Sequence, residues 1–180
     1  MTATCFSGET LVTGDRGLTP IASVKRGQRV LTIDAYGRIG FDVVDAVTVR
    51  RSVDNLYRIV TDFDEIIATA NHPIYLTCDE RFLDRETPSH SSLCEIEDCS
   101  GQWVDSANLV VGDSLYVPAL SLDATYGNGA GATVLARSST TVMLQHIEAV
   151  RFKRDVYDLK FKNAAGYLVG TERIVAACRF

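Results

Sequence analysis

No apolar run in this chain approaches the roughly 18–20 residues that a membrane-spanning helix requires, so no such helix is expected in it. A basic cluster is also missing. Lys and Arg number 18 against 23 Asp and Glu, a net charge of −5, and the cations are scattered, so a nucleic-acid partner is not expected. Cysteine lacks an even count. Five residues, Cys5, Cys78, Cys94, Cys99 and Cys178, cannot all pair, which excludes a fully disulfide-paired scaffold and leaves at least one free thiol. Helical periodicity is scarce too. Only residues 20–25 and 105–110 read as short helical turns.

What is present is a chain of 180 residues, 46% hydrophobic and 23% charged, ordinary for one globular domain and expected to be a monomer. Short β-branched and aromatic runs cover residues 10–13, 29–33, 41–49, 56–60, 66–68, 74–76, 115–117, 142–150, 156–161 and 167–169, bounded by Gly, Asp and Asn. Runs of this length and composition read as strands, so the fold class is all-β.

The chain also repeats itself. Ile21-Ala-Ser-Val-Lys-Arg-Gly-Gln-Arg-Val-Leu resembles Ser106-Ala-Asn-Leu-Val-Val-Gly-Asp-Ser-Leu-Tyr, and Val47 to Val60 resembles Ile147 to Lys160. A period of roughly 90 residues is too long for a solenoid and fits a duplicated half-domain. The expected halves are about 5–77 and 102–178, with 78–101 as a polar connector and residues 1–4 and 179–180 as flanks.

Three segments carry the chemistry. Cys5 stands ahead of the first strand, where a purely structural cysteine has little core to fill. Thr69-Ala-Asn-His72 closes a strand of the same half, and imidazole is the side chain best suited to proton transfer near neutral pH. Cys178 follows the apolar run Ile174 to Ala177. Two thiols with a threonine and a histidine allow a thiol acyl-transfer centre, set against the plainer reading of buried cysteines and satisfied polar residues.

Cys5-Phe-Ser-Gly-Glu-Thr-Leu-Val with Gly17, Ile21, Val24, Gly27, Val30 and Leu31 resembles the first motif of Hint domains, the fold of inteins and Hedgehog autoprocessing domains. Thr69-Ala-Asn-His72 is similar to their Thr-x-x-His motif. Val156-Tyr-Asp158-Leu-Lys-Phe with Gly166-Tyr-Leu-Val-Gly resembles the penultimate intein motif. The resemblance runs from Cys5 to Cys178 and implies a single pseudo-two-fold, horseshoe-like Hint domain. It also implies that Cys5 displaces the Thr4–Cys5 amide nitrogen to form a thioester, with Thr69 and His72 holding and protonating that nitrogen. Asp158 and Cys178 complete the implied site. The flanking polypeptide is the substrate, and no cofactor is required.

At the C-terminal end, inteins carry His-Asn before the second nucleophile, whereas this chain has Ala176-Ala177 before Cys178. Asparagine cyclisation is therefore impossible here, either because that pair was replaced to trap a precursor or because the domain is Hedgehog-like. The apolar strand ending in Ala-Ala-Cys resembles the end of Hedgehog Hint domains, although the sterol-activating Asp of that branch aligns with Val49 or its neighbours. A disulfide between Cys5 and Cys178 stays open as an alternative. In the connector, Cys78, His90, Cys94 and Cys99 form a possible tetrahedral zinc set, against a Cys94–Cys99 disulfide or free thiols. If that zinc reading held and Cys5 were inert, the chain would be a zinc-stapled β interaction module without chemistry.

Overall fold

The computed structural model describes residues 4–77, 101–119, 134–135 and 139–178. Among the described residues the regular structure is strand, interrupted by two 3-10 turns at Ile21–Ser23 and Ser106–Asn108. The first half contains β1 (Phe6–Ser7), β2 (Leu11–Gly14), β3 (Gly17–Pro20), β4 (Arg29–Ile33), β5 (Arg38–Val43), β6 (Ala46–Val53), β7 (Leu56–Val60), β8 (Glu65–Thr69) and β9 (Pro73–Thr77). The second half contains β10 (Gly101–Asp105), β11 (Ser114–Pro118), β12 (Val134–Leu135), β13 (Ser139–Met143), β14 (His146–Val150), β15 (Arg154–Lys160), β16 (Gly166–Val169) and β17 (Ile174–Ala177).

Two sheets result. A six-stranded sheet runs in the order β14-β7-β8-β1-β15-β6, and an eleven-stranded sheet is built on β12-β5-β4-β2-β16-β17-β9-β11-β13. The pairings are antiparallel, as expected for strands that bury one face and wet the other. The main core gathers Phe6, Val12, Ile59, Ile74, Leu115, Leu159 and Tyr167, and a second cluster packs Tyr75, Tyr116, Leu168 and Val175 with Trp103.

Two of the runs expected as single strands are each split. Residues 41–49 belong to β5 and β6, and residues 142–150 belong to β13 and β14. The breaks fall at Val44 and Leu144, both wholly buried. At each break the chain leaves the eleven-stranded sheet and enters the six-stranded one. The apolar run looks continuous in sequence because the corner itself is core.

The repeated sequence segments make matching backbone bonds. Gly27 N–H donates to Val44 O as Gly112 N–H donates to Leu144 O, both at 2.8 Å. Val44 N–H reaches Gln28 O where Leu144 N–H reaches Asp113 O, and Asp45 N–H reaches Lys160 O where Gln145 N–H reaches Val60 O. The last pair is reciprocal: each half supplies the acceptor for the other. Likewise β6 pairs with β15 and β7 with β14, so the two halves exchange strands.

Candidate functional site

β1 is only two residues long, but it lies between β8 and β15, with Phe6 opposite both Ala68 and Tyr157. Carrying those registers one residue upstream sets Cys5 between Thr69 on one neighbour and Asp158 on the other. The Thr69 side is fixed twice. Thr69 N–H donates to Cys5 O at 2.9 Å, and Cys5 N–H donates to Thr69 Oγ1 at 3.0 Å.

Strand alternation decides which groups share a face. Cys5 packs with Leu56, Ile67 and Val156 in a small cluster of its own. Asp158 lies two residues beyond Val156 on β15 and so projects to the same side. Phe6 projects to the opposite side, into the main core, where the His72 ring lies 4.0 Å from the Phe6 ring. The His72 imidazole thus lies on the Phe6 side of β1. His72 sits in the turn joining β8 to β9. Its N–H donates to Thr69 O at 2.9 Å, and its carbonyl accepts from Ser106 N–H and Oγ at 2.9 and 2.8 Å. These bonds tie the Thr69–His72 turn to the second half.

Cys178 closes β17 and donates its N–H to Ala165 O at 3.1 Å. β17 pairs with β9 through Ala176 opposite Ile74. Continuing that register by two residues brings Cys178 opposite His72. Cys5 and Cys178 are both buried free thiols, so the alternative disulfide between them is not formed.

Asp158 organises the electrostatics. It is buried, and that desolvation raises its carboxyl to about 7 even though Tyr167, Leu159, Lys160 and Thr4 all favour the charged form. The Tyr167 hydroxyl donates to Asp158 Oδ1 at 3.1 Å, and Leu159 N–H donates to the same oxygen at 2.9 Å. Burial pushes the Cys5 thiol up to about 12, with the Asp158 charge adding to the rise and Arg50 opposing it. Burial likewise raises Cys178 and Tyr167, and Asp158 adds to both. The charges of Cys5 and Cys178 both reach Tyr167, so the two thiols, the phenol and the carboxylate share one neighbourhood.

Cys5, Thr69 and Asp158 are therefore brought together directly, His72 through Phe6, and Cys178 through the surroundings of Asp158. Tyr167 and Thr4 are additions that sequence reasoning missed. A signal for Tyr167 existed: a tyrosine inside an apolar strand must find a partner for its hydroxyl. Cys78, His90, Cys94 and Cys99 lie outside the described residues. Among the described residues, no group of three or more His, Cys, Asp or Glu side chains is placed to hold a metal ion. No described helix is long and apolar enough to cross a membrane.

No protein-family model matches this sequence, and no curated protein does. Solved structures do match. A bacterial intein-like domain from Clostridium thermocellum superposes with a TM-score of 0.66 at 18% identity, covering 98% of this chain and 100% of the other. The DnaB intein from Synechocystis sp. PCC 6803 superposes with a TM-score of 0.67 at 15% identity over 98% of this chain and 100% of its own. The TvoVMA intein gives a TM-score of 0.68 at 16% identity over 96% of each chain. These end-to-end superpositions establish that the chain has the Hint fold of inteins and intein-like domains.

Proposed function

We propose that this domain rearranges the peptide bond preceding Cys5 into a thioester and passes the upstream segment to another nucleophile. The observation that carries the reading is the Cys5 N–H···Thr69 Oγ1 hydrogen bond at 3.0 Å. It fixes the nitrogen that must depart, while Asp158 flanks the same residue from the other neighbouring strand.

A thiol raised to about 12 is ionised in roughly one molecule in 10⁵ at pH 7. Attack therefore needs a base. Asp158, raised to about 7, is poised to take the Cys5 proton near neutral pH. The transfer keeps a single negative charge in the pair, whereas loss of the thiol proton to water would set a thiolate beside a carboxylate. The Cys5 sulfur then bonds to the Thr4 carbonyl carbon, the C–N bond breaks, and the Cys5 nitrogen takes up a proton from His72. The Thr69 hydroxyl accepts from the N–H of the resting peptide. By rotating it can donate to the nitrogen lone pair once amide resonance is lost.

At the other end, Ala177 has no side-chain amide, so asparagine cyclisation is not part of this reading. The thioester is resolved by an external nucleophile or by Cys178. The first prediction tests the whole reading. A reporter fused upstream of Cys5 is released by dithiothreitol or hydroxylamine, and Cys5→Ala retains it. Equal release from both proteins would refute the proposal.

A further inference from the structure

The acceptor that resolves the thioester has to reach the face of the six-stranded sheet that carries Cys5 and Asp158. Along that face β15 pairs with β6, the outermost strand of the sheet. Val156 lies opposite Arg50, Asp158 opposite Thr48 and Lys160 opposite Ala46. Cross-strand partners project to one side of a sheet. Arg50, Thr48, Val156, Asp158 and Lys160 thus share the face on which Cys5 packs against Val156.

Arg50 and Lys160 are both exposed, and among the described residues neither makes an ion pair. Their neighbours behave otherwise: Arg51 pairs with Asp155, and Arg154 pairs with Glu9 at 3.1 Å. In a chain of net charge −5, two unpaired cations bracket the nucleophile and its base from adjacent strands. The charge of Arg50 is felt at Cys5 and that of Lys160 at Asp158.

We infer that Arg50 and Lys160 form the recognition rim for an anionic acceptor, a thiol that carries a carboxylate. The inference rests on the thioester chemistry proposed above. The acceptor thiol loses its proton and attacks the Thr4 carbonyl carbon of the thioester. The bond from that carbon to Cys5 Sγ breaks, and Cys5 recovers the proton by way of Asp158. The rim cations hold the carboxylate while the sulfur attacks, and they contact neither reacting atom.

The experiment compares three small thiols on the same reporter fusion: anionic mercaptoacetate, neutral 2-mercaptoethanol and cationic cysteamine. Normalising each rate to that of 2-mercaptoethanol removes any effect of a variant on thioester formation. The expected mercaptoacetate preference of the wild type falls about two- to five-fold in the Arg50→Gln, Lys160→Gln double variant, the size typical of exposed charge pairs. Arg50→Glu shifts the preference towards cysteamine, and 1 M salt erases the difference between wild type and variant by screening. An unchanged charge preference in the double variant, with all three thiols still releasing the reporter, overturns the rim. Failure of every thiol to release it from the wild type instead overturns the thioester reading itself.

Discussion

Asp158 has to be ionised to take the Cys5 proton, so its pKa of about 7 sets the pH dependence of the proposed reaction. At saturating thiol, where thioester formation limits release, the rate is expected to rise with pH through about 7 and then level off. A pH–rate profile checks this, and Asp158→Asn should flatten it at a rate lower by the 10²–10⁴-fold typical of a lost general base. The same carboxyl carries a stability signature. Its folded pKa lies above the unfolded value of 3.8, so the native state binds the proton more tightly. The associated stability is fully present below the unfolded pKa and is lost as pH rises towards 7, at about 1.4 kcal/mol per unit. Asp158→Asn, neutral at every pH, should therefore show a melting-temperature advantage over wild type that grows as pH rises from about 4 to about 7 and then holds, while losing activity. Tyr167→Phe keeps the ring against Phe6 and Phe161 but deletes the hydroxyl that favours the Asp158 anion. The midpoint of the pH profile should then move up by about one unit, and an unmoved midpoint would reduce Tyr167 to packing. Cys5, Thr69 and His72 were singled out in the sequence less by their chemistry alone than by motifs that resemble those of Hint domains. Tyr167 was not, because the need of a buried hydroxyl for a partner does not say which residue supplies it until the strands are paired.

Among the elements, the strands whose sequence was easiest to read are those lying wholly within one sheet, such as Arg29–Ile33 and Leu56–Val60, where the expected and observed bounds coincide. The run over residues 41–49 hides a corner at Val44 because hydrophobicity reports burial, and a buried turn between two sheets is as apolar as a strand. β1 was invisible for a different reason. Two residues are too few for alternation to show, and the strand exists because β8 and β15 pair with it on both sides. Glycine marks another element-level constraint that hydrophobic patterning does not register. A Cβ on Gly166 would lie 2.5 Å from Ala176 O across the β16–β17 pair, and 3.3 Å from the Trp103 ring. The carbonyl cannot retreat without parting the two strands. Gly166→Ala is therefore expected to lower the urea midpoint by the equivalent of about 1–3 kcal/mol. Because β17 delivers Cys178, alkylation of Cys178 by iodoacetamide should accelerate as well. Unchanged stability with unchanged alkylation would show that the pair relaxes without strain.

For the whole molecule, the exchange of strands means that neither half possesses a complete sheet. β1 and β6 of the first half pair with β15 of the second, β7 pairs with β14, β2 and β4 with β16, and β9 with β10, β11 and β17. The proposed site is divided in the same way. Cys5, Thr69 and His72 come from the first half, whereas Asp158, Tyr167 and Cys178 come from the second. Separated, each half exposes apolar faces and unpaired strand edges, which cannot be satisfied within so small a chain. Fragments 1–77 and 102–180, purified apart, should each lack a cooperative thermal transition. Mixed in equal amounts, they should recover one, with the near-ultraviolet signal of Trp103 saturating at a one-to-one ratio as β10 packs its indole against Tyr75. With a reporter upstream of Cys5, the first fragment alone should resist dithiothreitol, and addition of the second should start its release. An Asp158→Asn second fragment should restore the fold and the Trp103 signal without restoring release, which separates assembly from chemistry. A first fragment that folds cooperatively and releases the reporter unaided would contradict both the interleaving and the placement of the base in the second half.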